Sequence, residues 1–285
     1  MSGSHCGWQV VGDDRGGAPP WRGAPVSVLS GFPFRAPGPL PCTVLTSLPL
    51  LLAEAAGSAA PRVGPPALAD MAALICPILG HVLGAIPVGL LLGYAVKGID
   101  LRQHGSGNIG ATNAARVLGW KWGMLALLLD ALKGMLPVLL ARLWTAASPN
   151  SLHIQVVTGI LAILGHMFPV WLKFKGGKGV ATGLGVALVL SPISSLWALG
   201  AYLLGFGITR VSSVGSLIAA VTFPAAEWIR TGRGMFSAEH WSLGVFSLAI
   251  PALIIVRHRS NIARLLQGKE RALAPPESKE PTPPK

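Results

Sequence analysis

The sequence predicts an all-α, polytopic membrane protein of about seven transmembrane helices, two of them forming a short hairpin around Pro192. Of 285 residues, 51% are hydrophobic and only 12% charged, whereas soluble domains carry roughly a quarter charged residues. Mean hydropathy is +0.57. Apolar stretches of roughly 16 to 25 residues recur between short basic loops, close to the length a helix needs to cross hydrocarbon. Cys6, Cys42 and Cys76 are the three cysteines; they stand far apart, with no CxxC pair and no metal-type spacing to histidine. Neither a disulfide framework nor a metal site is expected.

Residues 1–70 differ in kind from the rest. They hold 11 prolines, 10 glycines and no lysine, a composition that rarely folds. Leu40 to Leu52 is apolar like a signal-peptide core, but it starts too far in and lacks a short basic leader. Met71 is the next methionine after Met1 and immediately precedes the first convincing span. The expectation is a native start at Met71, with 1–70 a disordered extension or mis-assigned start. Residues 71–272 then form the transmembrane domain, and 273–285, rich in Pro, Glu and Lys, a disordered tail.

The first span is expected from Ala72 to Val96, with His81 as a packing residue. The loop from Lys97 to Trp122 follows, and in it Gly105-Ser-Gly-Asn-Ile-Gly-Ala-Thr-Asn113, then Arg116. Ser106, Asn108, Thr112, Asn113 and the exposed backbone donors suit hydroxyls or phosphate oxygens. The plain alternative is a flexible connector with a helix cap. In the second span, Gly123 to Leu143, Asp130 and Lys133 lie three residues apart, so they can pair on one face. A lone charge at a helix centre costs about 2.5 to 3.5 kcal/mol on insertion scales. Asp130 is read as structural; Lys133 either pairs with it or faces an anion.

The third span, Ile154 to Leu172, carries His166 about two turns before Lys173, near the same membrane face. It runs into Phe174-Lys-Gly-Gly-Lys-Gly-Val-Ala-Thr-Gly183. Glycines let backbone N–H groups converge on an anion, and lysines add point charge. A Walker loop is excluded, because Gly179 stands where Ser or Thr would hold magnesium. A phosphate seat and a basic turn at a helix end both fit these residues alone.

Val180 to Ile208 is apolar throughout, and as one helix it would measure about 44 Å, too long for a core of about 30 Å. A hairpin broken at Ser191-Pro192 resolves this, and an even number of crossings keeps Lys173 to Lys178 and Arg210 on one side. A sixth span is expected from Val214 to Ile229, a loop from Arg230 to His240, and a seventh span from Trp241 to Val256. The basic tail from Arg257 follows. With this topology thirteen Lys and Arg fall on the side of the polar clusters and three, Arg142, Arg230 and Arg233, on the other. That asymmetry puts the clusters and the C-terminus in the cytoplasm and the start of the first span outside. The net charge of +12 fits this rule and fits anionic substrates equally well.

Three separated motifs resemble the bacterial membrane glycerol-3-phosphate acyltransferases that use acyl-phosphate, the PlsY family. They are Gly105 to Asn113 with Arg116, Gly165 to Thr182 with its glycine-lysine core, and His258-x-x-Asn261-Ile262-x-Arg264-Leu265-x-x-Gly268-x-Glu270. The resemblance spans about Met71 to Ala272. It implies transfer of an acyl group from acyl-phosphate to the 1-hydroxyl of sn-glycerol 3-phosphate, giving lysophosphatidic acid and phosphate, the first acylation of phospholipid synthesis. It links Ser106, His258 and Asn261 to catalysis. Ser106, Arg116 and Lys178 are linked to glycerol 3-phosphate, and Gly176, Gly177, Lys178 and Gly179 to acyl-phosphate, with Glu270 structural. Asn108, Thr112 and Asn113 suit the donor phosphate as well. The partners expected are these two substrates and the lipid bilayer of the inner membrane. No cofactor, metal, nucleic acid or obligate protein partner is expected.

The chemistry agrees with such residues. An acyl-phosphate is already activated, so the protein must hold two anions, orient a hydroxyl and stabilise an oxyanion. The proton acceptor stays open between His258 and the donor's own phosphate. The rival reading is an anionic-solute transporter, for which broken helices and glycine-rich polar loops are also typical.

Overall fold

The structure, a computed structural model, describes residues 66–273. The expectations for residues 1–65 and for the tail from 274 lie outside the described residues. Ten α-helices and no strands occur among the described residues. The first half holds α1 (Pro66–Gly84), α2 (Val88–Lys97), α3 (Ala111–Leu118), α4 (Trp120–Trp144) and α5 (Ser151–Met167). The second holds α6 (Val180–Leu190), α7 (Pro192–Thr209), α8 (Ser212–Thr231), α9 (Trp241–Arg257) and α10 (Arg259–Leu266).

Five stretches are long and apolar enough to cross a bilayer: Asp70–Lys97, Trp120–Trp144, Ser151–Leu172, Pro192–Thr209 and Ser212–Phe236. Helices α9 and α10, bent by 57° at His258, make a sixth if taken together. Helix α6 has 11 residues, a rise of about 16 Å, or half of a hydrocarbon core. Seven crossings are reached only when this half-length helix is counted. Leu74, Ile78, Leu196, Ile208 and Ile229 are exposed on the outer faces, as lipid contact requires. Lys178 before α6 and Ser212 and Ser213 after α7 line one cavity, so the chain doubles back at Ser191.

The first span is not the continuous helix expected from Ala72 to Val96. It breaks between α1 and α2, because Pro87 lacks an N–H and restricts Ile86 before it. A break inside hydrocarbon frees carbonyls that water cannot satisfy. Two side chains from other helices meet them. Trp171 Nε1 donates to Ala85 O at 2.9 Å, and Lys133 Nζ donates to Ile86 O at 2.6 Å. Lys133 also lies 2.8 Å from Asp130 Oδ1, one turn away on α4, and both are buried. The expected pair therefore exists, and its cation is spent on backbone rather than turned to a ligand.

Close approach of helices rests on small residues, as in lipid it must. Gly80 and Gly84, four apart on α1, sit against the backbone of Thr158 and Ala162, four apart on α5; a Cβ at either glycine would collide with a carbonyl. Between α4 and α9 a core forms from Val138, Val156, Ile163, Met167, Val186 and Ile250. Phe223 of α8 meets Phe246 of α9 edge to face, centroids 6.2 Å apart.

The loop expected from Lys97 to Trp122 is more ordered than a connector. Helix α3 forms there because Ala114 and Leu118, four apart, bury against Val88, Leu101 and Ala126. At the opposite end of the bundle, Glu227 of α8 is 1% exposed and clamps the α6–α7 break. The Ser191 and Ser194 hydroxyls both donate to its Oε2, and Arg230 Nη2 donates to Oε1 at 2.5 Å.

Lys133→Met strands the Asp130 carboxylate and the Ile86 carbonyl together. Removing one partner of a buried pair costs about 3 to 5 kcal/mol. Thermal unfolding of the purified protein in detergent should show a clear drop in apparent Tm, partly recovered in the Asp130→Asn/Lys133→Met double variant.

Candidate active site

The first polar loop is organised by one side chain. Asn113, at 1% exposure, accepts from Ser106 N at 2.8 Å. Its Nδ2 donates to the carbonyls of Leu101, His104 and Asn108 at 3.1, 3.0 and 2.8 Å. An amide has two N–H groups, so all of its donor capacity goes into shaping the loop. Asn108 Oδ1 accepts from Gly110 N at 2.8 Å just ahead of α3, and its own amide N–H groups have no partner among the described residues. Thr112 Oγ1 lies 3.0 Å from Ser212 Oγ, which is 3.0 Å from Tyr202 OH.

The glycine loop folds back on the end of α5. Gly176 N donates to Met167 O and Gly177 N to His166 O, both at 3.1 Å. Gly177 packs so tightly on the His166 ring that no Cβ fits. These two amides are thus spent internally, and neither glycine lines the cavity described below. Gly179, at φ +80°, makes the left-handed turn that a side chain resists. After it α6 begins, and its first amides have no acceptor within the helix. Lys178, Gly179, Val180 and Ala181 all line the cavity. Within this stretch the feature suited to an anion is the N-terminus of α6, where orphan amides and the helix dipole favour negative charge.

The third motif supplies a chain of polar contacts. Lys178 Nζ donates to Asn261 Oδ1 at 2.5 Å, and Asn261 Nδ2 donates to Glu270 Oε1 at 2.5 Å. Ser213 Oγ reaches the same oxygen at 2.9 Å, and Arg264 Nε donates to Oε2 at 2.6 Å. Glu270 thus fixes Asn261, which fixes Lys178. His258, at 2% exposure, stands at the break between α9 and α10. Its Nδ1 lies 2.8 Å from Ile254 O; only a donor can pair with a carbonyl, so the neutral ring keeps its lone pair on Nε2.

All three motifs meet in one cavity of about 350 Å³. Ser106, Asn108, Thr112, Asn113, Arg116, Lys178, Gly179, His258, Asn261 and Glu270 line its polar end. Leu199, Leu203, Phe206, Phe223, Phe246 and Ile250 line an apolar extension between α6, α7, α8 and α9. Asp130 and His166 also face the cavity, 3.6 Å apart from Oδ1 to Nδ1. Sequence reasoning read Asp130 only as structural and passed over Ser212, Ser213 and Tyr202, whose types are unexceptional in a membrane helix. Among the described residues no cluster of three or more His, Cys, Asp or Glu could hold a metal ion.

Residues 74–268 match the family model described as Glycerol-3-phosphate acyltransferase. A glycerol-3-phosphate acyltransferase of Anaeromyxobacter sp. (strain Fw109-5) is 46% identical over 200 residues, covering 70% of this chain and 96% of that protein. One of Myxococcus xanthus (strain DK1622) is 46% identical over 194 residues, 68% of this chain and 96% of its own. The chain belongs to the glycerol-3-phosphate acyltransferase family. Crystal structures of PlsY (YgiH), an integral membrane glycerol 3-phosphate acyltransferase, are similar in fold. The glycerol 3-phosphate form has a TM-score of 0.63 at 39% identity, covering 71% of this chain and 96% of that one. The lysophosphatidic acid form has 0.61 at 38%, with 70% and 94% covered.

The electrostatics of this acyltransferase suit anions. Burial pushes the Lys178 ammonium down to about 8; Glu270 opposes that shift, while Arg264, Arg116 and Arg257 add to it. Burial also drives His258 down to about 4, against the pull of the Ile254 carbonyl. For Glu270, burial acts upward, but the hydrogen bonds from Arg264, Asn261 and Ser213 outweigh it and hold the carboxyl below its ordinary value. Near neutral pH the site therefore holds a charged lysine, a neutral histidine and an ionised glutamate.

Lys178 loses its charge as pH rises through about 8. The ratio kcat/KM for an anionic substrate should fall above that pH, and Lys178→Arg should move the fall beyond about pH 10, since a guanidinium stays protonated. Initial rates measured across pH 6 to 10 check this.

Proposed function

We propose that the chain transfers an acyl group from an acyl-phosphate to the 1-hydroxyl of sn-glycerol 3-phosphate, forming 1-acyl-sn-glycerol 3-phosphate and inorganic phosphate. The observation that carries the proposal is the cavity's two-part character: a cationic, amide-rich end continuous with an apolar extension among helices. An acyl-phosphate has that shape and that polarity. The relatives described above are named acyltransferases, which gives the transporter alternative no support. The charge asymmetry between the two faces supports an inner-membrane protein with its active-site loops in the cytoplasm.

In this reading the α6 N-terminus with Lys178 holds the donor phosphate, Asn108 and Thr112 border it, and Ser106 and Arg116 take glycerol 3-phosphate. Asn113 contributes by shaping the loop, and Gly176 and Gly177 by fixing the platform from which Lys178 projects. The hydroxyl oxygen attacks the acyl carbon, the bond from that carbon to the phosphate oxygen breaks, and phosphate leaves. Asn261, held by Glu270, lies beside Lys178, where it can steady the developing oxyanion. The hydroxyl proton ends on the departing phosphate. A His258 pushed down to about 4 is too weak a base to take it fully, so its Nε2 accepts a hydrogen bond from the hydroxyl and aims it.

Purified protein given acyl-phosphate and labelled glycerol 3-phosphate, without nucleotide or metal, should form labelled lysophosphatidate with one phosphate released per ester. Absence of product ends the reading. His258→Gln should lower kcat by about 10²-fold, the scale of a misplaced reacting group, while the shape of the pH profile between 5 and 8 stays as in the parent. A limb that vanishes in the variant would make His258 the base instead.

A further inference from the structure

Arg257 stands outside the cavity wall, yet it holds the glycine loop from behind. Its Nη2 donates to Gly176 O at 3.1 Å and to Gly177 O at 3.0 Å. The guanidinium carbon lies 5.2 Å from the centre of the Phe168 ring, which keeps the plane of the group in place. Each of these two glycines has its amide spent on the end of α5 and its carbonyl on Arg257. The peptide unit that joins the two glycines is therefore locked on both edges, and the unit that joins Gly177 to Lys178 on its carbonyl edge, directly before the segment that lines the cavity.

Two adjacent carbonyl oxygens turned to one point create negative potential there, the reverse of what an anion needs nearby. A guanidinium at that point cancels it, and does so without facing the ligand. Arg257 is also the last residue of α9, directly before His258, so one side chain ties the loop to the motif that carries the histidine. We propose that Arg257 is a positioning residue for the acyl donor: by neutralising and pinning the Gly176 and Gly177 carbonyls it keeps Lys178 and the α6 amides turned to the donor's phosphate. The proposal rests on the acyltransferase reading above. It sets Arg257 apart from the basic residues that merely follow a membrane helix, which attract anionic lipid and leave substrate affinity alone.

The test compares the parent, Arg257→Ala and Phe168→Leu in the purified protein, with each substrate varied in turn. Arg257→Ala should raise KM for acyl-phosphate by about tenfold or more, in keeping with charge-assisted hydrogen bonds, with KM for glycerol 3-phosphate changed less than about twofold. Millimolar guanidinium ion should restore the acyl-phosphate KM in that variant and leave the parent unchanged. Phe168→Leu, which keeps an apolar side chain, should move the same KM in the same direction by less. Equal rises in both KM values, no rise at all, or a rise that guanidinium does not reverse would overturn the assignment. If Arg257→Ala does not fold, Phe168→Leu decides alone, because an unchanged acyl-phosphate KM there overturns it too. Activity of the parent reports on the acyltransferase reading separately, since no variant enters that measurement.

Discussion

In hydrocarbon no backbone carbonyl can fall back on water, and the architecture of this protein follows from that constraint. Its helices break at Pro87, after Met167 and at Ser191, and each break frees polar groups that other elements must meet. Lys133 and Trp171 serve the first break, the Gly176 and Gly177 amides, themselves held by Arg257, the second, and Glu227 clamps the third through serine hydroxyls. The buried charges that look costly in the sequence are the partners these breaks require. Two of the three repairs lie close to the cavity: Lys133 pairs with Asp130 on its wall, and Arg257 holds the loop beside it. Stabilising the broken helices and building the site are thus one arrangement.

The site keeps an excess of positive charge. Lys178, Arg116, Arg257 and Arg264 lie near one another, with Glu270 the acid that balances them. Such crowding is tolerable because backbone carbonyls absorb part of it: Arg116 donates to Arg271 O at 2.8 Å, and Arg257 to the glycines. A cavity charged this way suits anions, and in the proposed reaction two phosphorylated molecules supply the balancing negative charge at the polar end, with Leu203, Phe206 and Phe246 lining the apolar extension for the acyl chain.

Much of this was legible in the residue order. Span after span is marked by length and apolarity, and Ser, Asn, Gly and Lys clusters stand out against so greasy a background. The three motifs proved to share one cavity, as their common membrane face implied. Other features were hidden for physical reasons. The same amide that can bind a phosphate can equally shape its own loop, so the inward commitment of Asn113 was invisible without partners. Gly176 and Gly177 carry amides that point to α5 rather than to a ligand, and nothing in Gly-Gly distinguishes the two. Pro87 was visible inside the first span, but whether proline bends or breaks a membrane helix depends on donors from elsewhere, here Lys133 and Trp171. Arg257 reads as one more juxtamembrane cation until its two carbonyl acceptors are known.

Helices α6 and α7 share a vertex at Ser191 and supply two facing walls of the apolar extension. The geometry is that of a pair of tongs. How widely the arms stand apart is governed at the pivot, and the pivot is gripped by Glu227 and Arg230 at the far end of the bundle. The width of the apolar slot is therefore tied to contacts at the far end of the bundle from the polar cluster, so a change at Glu227 or Arg230 bears on the slot without touching Ser106, Lys178 or His258.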